Sequence, residues 1–363
     1  MARTGGRVAG RRVSGMPAPI IALKAAVIPY RVQGSHPMVT ASVGASVRFL
    51  GRAFLFASAF TGLVSSIVLF ITSQAANGSK PDDRGEGAGA SKAQTSDIGK
   101  EGSVRYDNEL KLKLVWCPRG TFTMDDSISK PGNINQTIRI APVKVTLTQG
   151  YWIGKYPVTQ AEWRRLMKTK PWRGRFSTRI GDRLPATYIT WNDAMDFCRK
   201  LTERERRAGR LSNAWEYTLP TEAQWERACR AGTETRYCFG DDASKLSEYA
   251  WFYDNSYKVG DNHLHAVGAK KANRWGIHDM HGNVCEWCRD HYVEKLPGGR
   301  DPEVKAEPSG DTLRVSRSGC IVFNAAMCES GYRRGESPGY RNGDFGGRAG
   351  GNLGFRVVLR SIR

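Results

Sequence analysis

The stretch of sequence that decides the fold lies in the C-terminal half of the chain and is unusually dense in turn-forming and aromatic residues. It reads Trp275-Gly276-Ile277-His278-Asp279-Met280-His281-Gly282-Asn283-Val284-Cys285-Glu286-Trp287-Cys288-Arg289-Asp290. Its glycines and Asn are too many for a helix, and its large apolar side chains are too many for a loop in solvent. We therefore predict a buried segment with an irregular backbone.

A buried irregular backbone leaves carbonyl oxygens that no helix or strand pairs, and each one costs free energy. A hard cation satisfies such oxygens, and Ca²⁺ prefers a set made only of oxygen ligands. Asp279 and Glu286 would supply carboxylates, while Gly282 and Val284 would supply backbone carbonyls. The alternative is that both acids cap turns and accept hydrogen bonds from backbone amides. The residues alone leave both interpretations open.

The chain begins with a basic segment that is followed by an apolar one. The first 75 residues contain eight Lys or Arg residues and no Asp or Glu. Residues 53–72 are uncharged over twenty positions, which is long enough to cross a bilayer as a helix. Positive charge ahead of this segment predicts that the N-terminus stays inside and that the remainder is exported. Residues 73–75 fit a small-residue cleavage site, so a signal peptide and a retained anchor are both open.

These features divide the chain into four predicted parts. Residues 1–52 form a basic leader, and residues 53–72 form a transmembrane anchor or the hydrophobic region of a signal peptide. Residues 73–103 have the Gly, Ser, Lys and Asp composition of a flexible linker. Residues 104–363 form one globular domain. We expect this domain to be extracytoplasmic, either anchored to the membrane or secreted into the periplasm or beyond.

The positive charge of the chain does not indicate a nucleic-acid-binding protein. The formal net charge is +20, and leaving out the eight leader cations gives +12. Nucleic-acid recognition calls for basic residues clustered with stacking aromatics or within a known motif, and the sequence has neither. Arginines scattered over a solvated surface are the simpler interpretation. We therefore expect no nucleic-acid partner.

Capping signals predict three helices in the globular domain. Thr-Gln-Ala-Glu at 159–162 and Thr-Glu-Ala-Gln at 221–224 are capping boxes, and Thr-Trp-Asn-Asp at 190–193 is a version with a shorter acid. Gly232 is expected to end the third helix. Alternation of apolar and polar residues predicts a strand at 143–148, and two short strands are predicted within 114–124. Forty glycines and ten tryptophans indicate an α+β domain with little regular secondary structure.

Four segments in order give the chain its resemblance to a known family. They are Gly-Lys-Tyr-Pro-Val-Thr-Gln-Ala-Glu-Trp at 154–163, Leu-Pro-Thr-Glu-Ala-Gln-Trp-Glu at 219–226, the stretch 276–287, and Asn-Leu-Gly-Phe-Arg-Val-Val at 352–358. Together they resemble the formylglycine-generating enzyme (sulfatase-modifying factor) family over roughly residues 110–360. The resemblance implies a C-type-lectin-like, sulfatase-modifying-factor fold with structural Ca²⁺.

The resemblance also assigns the cation ligands. Family ligand positions fall on Asp279, Gly282, Val284 and Glu286, the residues already considered for a cation. A second calcium site would lie near Asp254, Asn255 and Asp261, where the match is too loose for individual assignment. Asn352 falls at a position close to the active-site cleft of the family, which makes it a candidate for substrate binding.

The catalytic residues implied by the resemblance are incomplete in this chain. Formylglycine generators oxidise a cysteine of a client sulfatase with O₂, using copper held by two cysteines with four residues between them. Two thiolates suit soft Cu(I). The second family cysteine falls on Cys328, but the first falls on Phe323, whose ring cannot bind copper. Cys320 stands three residues earlier, where the family has serine, and would replace the missing ligand only in a rebuilt loop.

Two functions of different classes follow from this comparison. The first is a copper-dependent oxidase that converts a cysteine of an exported sulfatase-type client, with Cys328 and Cys320 as its catalytic residues. The second is a non-catalytic, calcium-stabilised lectin-like module whose cleft binds an exported protein or peptide, or a glycan. The residue at position 323 separates the two, because a cysteine at this first family position would have favoured the oxidase.

The remaining cysteines and histidines allow several interpretations. Eight cysteines in an exported domain make disulfides feasible, but their connectivity cannot be deduced. Cys198 and Cys229 are either free buried thiols or paired with unidentified partners. The residue types of a zinc site are present in His278, His281, Cys285 and Cys288. Cys285 would otherwise be a small buried thiol or form a redox pair with Cys288. Arg356 would either bind a substrate anion or satisfy buried loop carbonyls.

Overall fold

The computed structural model describes residues 100–130, 133–175, 178–305, 313–341 and 351–362. The predicted leader and apolar segment lie outside these residues, as does most of the predicted linker. Within the described ranges, none of the helices has the length and apolar character needed to cross a bilayer.

Short strands and a few helices make up the described domain. In chain order, the strands are β1 (Val104–Arg105), β2 (Leu114–Cys117), β3 (Gly120–Lys130), β4 (Asn133–Leu147), β5 (Tyr151–Gly154), β6 (Trp215–Thr218), β7 (Cys285–His291), β8 (Gly299–Arg300), β9 (Arg314–Arg317), β10 (Arg333–Glu336), β11 (Leu353–Gly354) and β12 (Val358–Ser361). The α-helices are α1 (Gln160–Met167), α2 (Trp191–Arg207), α3 (Glu222–Arg230) and α4 (Leu246–Tyr249). Single 3-10 turns occur at Ala243–Lys245, Tyr253–Asn255, Tyr257–Val259 and Ala325–Cys328. The α+β expectation is confirmed.

The strands of the described part form three sheets. One has five strands in the order β1-β2-β5-β12-β6, so the last strand of the chain lies between two early ones. A second has the order β10-β9-β7-β11, with β11 parallel to β7, and the third has the order β3-β4-β8. The two strands predicted within 114–124 exist as β2 and the start of β3, but they belong to different sheets.

All three predicted capping boxes are present. Thr159, Thr190 and Thr221 each accept a hydrogen bond from the N3 amide, and each N3 side chain bonds the cap amide in return. The end of α3 differs from the prediction by one residue. Ala231 already takes the left-handed conformation, with φ 48°, and Gly232 follows it with φ 93°.

The five-stranded sheet separates two apolar cores. Alternate residues of its strands point to opposite sides, as the two-residue period of a strand requires. Helices α1 and α2 cover one side, and α3 covers the other. The first core includes Leu114, Trp116, Trp152, Trp163, Phe197, Cys285, Trp287, Cys320, Phe323, Cys328 and Phe355. The second core includes Val115, Cys117, Tyr151, Ile153, Trp225, Cys229, Cys288, Val315 and Val358.

The stretch 275–290 is almost entirely buried, as predicted, but only its first part is irregular. Residues 275–284 run without helix or strand, whereas β7 begins at Cys285. The expectation of irregular backbone over the whole stretch is wrong for this second part. Both faces of β7 are buried, so its sequence shows no alternation of apolar and polar residues that would reveal a strand.

Candidate functional site

Glu286, one of the predicted calcium ligands, has both carboxylate oxygens engaged. Arg356 donates to Oε2 and Oε1, each at 2.6 Å, and the indole nitrogen of Trp225 donates to Oε2 at 2.7 Å. Arg356 also donates to the carbonyls of Gly154 and His278. All of these side chains are buried, so Arg356 satisfies loop carbonyls and neutralises a buried acid rather than binding a substrate anion.

Asp279 is the predicted calcium ligand that keeps an unused oxygen. Its Oδ2 accepts a hydrogen bond from the Gly268 amide at 2.8 Å, while its buried Oδ1 has no partner among the described residues. Burial raises the pKa of this carboxyl to about 6, against a smaller lowering effect of the bond from Gly268. An acid that is hard to ionise in this way would gain from a bound cation.

The two predicted carbonyl ligands lie in a tight turn. The Val284 amide donates to the Gly282 carbonyl at 2.9 Å. A Cβ at position 282 would lie 2.2 Å from the carbonyl oxygen of Trp251, so only glycine fits there. The donor set therefore fits a cation in part, because Asp279 offers an oxygen and Glu286 does not. Calcium at these four residues stays a prediction.

The region of the second predicted calcium site is occupied by other contacts. Asp254 pairs with Lys258 at 2.9 Å. The Asn255 side chain bonds the backbone at residues 250 and 252. Asp261 lies 3.7 Å from the Nε2 atom of His265. Each of the three residues has a different partner, and their role in calcium binding also stays a prediction.

Phe323 fills the position that the resemblance assigns to the first copper ligand. Its side chain is 2% exposed and belongs to the first core. The ring meets Tyr332 edge to face at 5.8 Å, and the guanidinium of Arg334 lies 5.5 Å from its centre. An apolar ring packed in this way cannot supply a metal ligand.

The predicted catalytic cysteines are both completely buried. An added Cβ at Gly319 would lie 2.2 Å from the Cys328 sulfur, so this sulfur rests against the backbone of the loop that contains Cys320. Burial raises the pKa of the Cys328 thiol well above its ordinary value. The residues present therefore do not fit a copper ion at the family positions, because one position carries a ring and the other a protonated, enclosed thiol.

The predicted zinc set does not assemble. Among the residues that the structure describes, no group of three or more His, Cys, Asp or Glu side chains is placed to hold a metal ion. His278 faces the carbonyl of Lys270, with its Nδ1 at 2.8 Å. Cys285 and Cys288 lie in different cores on opposite faces of β7, so the redox-pair interpretation is also wrong. Cys285 is a small buried thiol.

His281 has a role that sequence reasoning missed. Its Nε2 accepts a hydrogen bond from the Cys238 amide at 3.1 Å, which leaves Nδ1 to donate to the Cys328 carbonyl at 2.8 Å. The hydrogen-bond network assigns this tautomer. The sulfur of Cys229 lies 3.8 Å from Nε2. His281 thus holds the backbone of Cys328, and no sequence signal identifies such a contact 47 residues away.

Asn352, the predicted substrate-binding residue, contacts Cys285 through its backbone. Its carbonyl accepts a hydrogen bond from the Cys285 amide at 2.8 Å. Its side chain is completely buried, and neither its oxygen nor its nitrogen has a partner among the described residues. Buried polar atoms normally have hydrogen-bond partners, so the Asn352 side chain stays a candidate for substrate binding.

Buried ion pairs on α3 form a second feature that sequence reasoning missed. Glu222 accepts two bonds from Arg333, at 2.7 and 2.8 Å. Glu226 pairs with Arg317 and, at 2.8 Å, with Arg230. The spacing of four residues predicts that Glu222 and Glu226 share one face of α3. It does not identify their arginine partners, which come from β9, β10 and α3 itself. These pairs fix α3 against the sheet that carries β7.

Two cavities of the described domain are not lined by Cys285, Cys320 or Cys328. One cavity of about 690 Å³ lies between α2 and β6, with Arg289, Glu303 and Arg360 in its wall. None of the predicted catalytic, substrate-binding or metal residues lines it.

The fold and the site define an α+β domain built on short strands, with a buried acid and arginine network beside a loop that carries Cys328. The chain matches the family model described as "Sulfatase-modifying factor enzyme 1-like domain" over residues 103–361, and it belongs to that family.

Similar proteins differ in what their names describe. The chain is 27% identical over 252 residues to "Chaperone protein LppX" of Paenibacillus barcinonensis, covering 58% of this chain and 84% of that protein. It is 26% identical over 155 residues to a formylglycine-generating enzyme of Thermomonospora curvata, covering 40% of this chain and only 46% of that enzyme. The solved structure of Treponema denticola variable protein 1 superposes with a TM-score of 0.54 at 26% identity, covering 69% and 95% of the two chains.

Proposed function

We propose that this protein binds a polypeptide client on the extracytoplasmic side of a membrane and does not convert a cysteine of that client by the copper mechanism. The observation that carries the proposal is Phe323, a packed and buried ring at the place of a required metal ligand. The partner residue Cys328 is an enclosed thiol whose pKa is raised. A scaffold that keeps its fold but has lost this chemistry is left with binding.

The named relatives support a polypeptide as the client. One of them is named a chaperone protein, and the other is named a formylglycine-generating enzyme. The word chaperone in the first name motivates a polypeptide as the client. A glycan, the other ligand considered for a lectin-like cleft, has no support in these names and serves as an outcome of the test.

The surface next to Phe323 has the chemistry that a peptide segment needs. The Tyr253 amide donates to the Phe323 carbonyl at 2.8 Å, which ties the turn 253–255 to the cysteine loop. The rings of Tyr253 and Tyr257 stack at 6.0 Å, and both rings are half-buried, as is Val322. We name these three residues the tyrosine patch. Tyrosines combine apolar area with a polar hydroxyl, which favours contact with peptide side chains and backbone.

Calcium and membrane attachment belong to the proposal in a supporting role. Asp279, with its unpaired Oδ1, would bind Ca²⁺ together with the carbonyls of Gly282 and Val284, and Ca²⁺ would there neutralise a buried acid. Glu286 would join this set only by giving up a bond from Arg356. The apolar segment 53–72 would place the domain outside the cytoplasm, either as a membrane anchor or as part of an export signal.

The proposal is tested by fluorescence anisotropy with the full chain and two labelled probes. One probe is a Cys-x-Pro-x-Arg peptide, and the other is an alkylated, permanently unfolded polypeptide. We expect saturable binding of at least one probe, weakened about tenfold by Tyr253→Ala or Val322→Ser, because apolar anchors carry most binding energy. The matched control Ile180→Ala changes a side chain that is 63% exposed and is expected to leave affinity unchanged.

Three results would contradict the proposal. The first is that neither polypeptide probe binds saturably. The second is that a probe binds with an affinity that both patch variants leave unchanged. The third is selective binding of an oligosaccharide panel with no binding of either probe, which would favour the lectin-like interpretation.

A further inference from the structure

The cavity between α2 and β6 has a wall of charged and apolar side chains and takes no part in the proposed function. Its volume of about 690 Å³ is in the range of sites that hold small organic ligands. A smaller cavity of about 180 Å³ lies between the turn that joins β4 to β5 and the start of α3. The two cavities share three wall residues, which are Arg289, Glu303 and Arg360. These three side chains therefore lie where the cavities adjoin.

Arg289, a residue of β7, has more hydrogen-bond donors in this wall than it has acceptors. Its side chain is buried, and the whole residue is 8% exposed. One terminal nitrogen donates to Glu303 at 2.7 Å, while the other makes a long contact of 3.4 Å with the Thr218 hydroxyl. The buried Nε has no partner among the residues that the structure describes. Because a guanidinium carries five N–H donors, Arg289 can accommodate a further acceptor.

A second guanidinium, that of Arg360, belongs to the same wall. Arg360 lies on β12 and pairs at 2.8 Å with Glu216, its neighbour on β6. Burial, and next the charge of Arg360, lower the pKa of Arg289. The attraction of Glu303 offsets this lowering only in part. The positive charge at Arg289 is therefore incompletely compensated, and an added anion would stabilise it.

The acids in the wall of the larger cavity limit the kind of anion that fits. They are Asp196, Glu203, Glu216 and Glu303. A phosphate with two negative charges would be repelled by these acids more strongly than a carboxylate with one. The planar fork of a guanidinium also matches the two oxygens of a carboxylate. The wall therefore favours a monocarboxylate over a phosphate.

We propose that this cavity binds a small ligand that has one carboxylate group and an apolar body, with Arg289 and Arg360 donating to the carboxylate. The apolar body contacts Met195 and Tyr217, which lie in the same wall. Binding supplies the buried guanidinium with an acceptor and a counter-charge. This site goes beyond the proposed function and does not depend on it, because none of the residues of the tyrosine patch lines the cavity.

The experiment is isothermal titration calorimetry of the full chain with three probes. They are 3-phenylpropionate, its neutral amide 3-phenylpropanamide, and inorganic phosphate. The acid and the amide have nearly the same shape and differ in charge. We expect saturable one-to-one binding of the acid, at least about tenfold tighter than that of the amide, because charge-assisted hydrogen bonds are the stronger ones. Phosphate should bind more weakly than the acid.

Two variants assign the binding to the cavity. Arg289→Gln and Arg360→Gln should each weaken binding of the acid by about tenfold, because each removes one charged donor. Arg274→Gln is the matched control, since it removes the same charge from an exposed pair with Glu101 and does not line the cavity. It should leave the affinity unchanged. If Arg289→Gln does not fold, Arg360→Gln and the comparison of acid with amide in the wild type still decide the matter.

Four results would overturn the proposal. The first is that the acid does not bind saturably. The second is that acid and amide bind equally well, and the third is that phosphate binds more tightly than the acid. The fourth is that Arg360→Gln has no greater effect on the affinity than Arg274→Gln has.

Discussion

Buried ion pairs make the stability of this domain sensitive to single substitutions. Glu286 lies under Trp225 and is held on both oxygens by Arg356, which leaves no solvent contact for either charge. The carboxylates of Glu222 and Glu226 are paired in the same manner. Such pairs contribute modest net stability when intact, but loss of one partner leaves an uncompensated buried charge. The acids and arginines are therefore sensitive to single substitutions.

Glu286→Gln is expected to lower the free energy of unfolding by roughly 3–5 kcal/mol, because Arg356 would stay buried without its counter-charge. Urea denaturation followed by tryptophan fluorescence measures the change. The surface pair offers the matched control, since Glu203→Gln removes an exposed partner of Arg199 and should cost under about 1 kcal/mol. Equal costs for the two variants would show that the buried pair has no special role.

Asp290 predicts a pH dependence of stability. Burial, and next the charge of Glu222, raise the pKa of this carboxyl to about 7. Because the folded state binds the proton more tightly than the unfolded state does, the stabilising contribution is complete below the ordinary pKa and is lost as pH rises through 7. Between pH 5.5 and 8.5 we expect the wild type to lose on the order of 1–2 kcal/mol from this group.

The measurement for Asp290 compares thermal and urea unfolding of the wild type and Asp290→Asn across that pH range. The variant cannot ionise at this position, so its stability should fall less steeply with pH. Parallel pH profiles for the two proteins would contradict the assignment. A steeper fall in the variant would reverse the expected sign and contradict it more strongly.

Among the elements, helix starts were the easiest to predict, because the capping signal is local. The three threonine caps were predicted from four residues each, and the structure contains all of them. Alternation is also a local signal, and the strand that it predicts at 143–148 corresponds to the end of β4, which is longer than predicted and stops at Leu147. By contrast, the sequence predicts irregular backbone where β7 lies. Both faces of this strand are buried, so its apolar and polar residues do not alternate.

The sequence identifies site residues that lie within recognisable motifs. It does not identify contacts between segments that are far apart in the chain. The resemblance to the family singles out Cys328 and Phe323, which belong to one loop. The hydrogen bond from His281 to the Cys328 carbonyl, by contrast, spans 47 residues. Local sequence contains no information on such crossings. The same holds for the arginines of β9 and β10 that neutralise the acids of α3.

Thr221→Ala tests the contribution of a cap to α3. The change removes the side-chain acceptor for the Gln224 amide, and we expect a loss of about 1 kcal/mol in the free energy of unfolding. Ser247→Ala, on the exposed side of α4, is the control and should be close to neutral. Chemical denaturation of both variants decides the matter, and an unchanged midpoint for Thr221→Ala would contradict the prediction.

Gly319→Ala tests the packing of the cysteine loop. The added methyl group would meet the Cys328 sulfur at 2.2 Å and the His281 carbonyl at 2.9 Å, so the loop has to shift. Overpacking of this kind costs roughly 1–3 kcal/mol. Gly339→Ala, where nothing lies within 4 Å, is the matched control. A Gly319→Ala protein as stable as the control would mean that the loop has another arrangement in solution.

At the scale of the whole molecule, the family match covers almost the entire described domain. The sheet that contains β7, the acid and arginine network, and the loop bearing Cys328 all lie within the matched residues. The position to which the resemblance assigns the first copper ligand carries Phe323. Families often retain a scaffold and exchange the activity placed on it, so the fold here identifies the family and the site limits the function. Client binding without cysteine conversion is the central claim.

The most direct measurement is mass spectrometry of a Cys-x-Pro-x-Arg peptide incubated with the reduced, Cu(I)-supplied full chain under O₂. We expect the wild-type protein to bind the cysteine peptide and to leave it chemically unchanged. Phe323→Cys restores the family spacing with Cys328, and this variant serves as the comparison because it should regain affinity for copper. Copper-dependent formation of a formylglycine peptide by the wild type, lost in Cys328→Ser, would contradict the account.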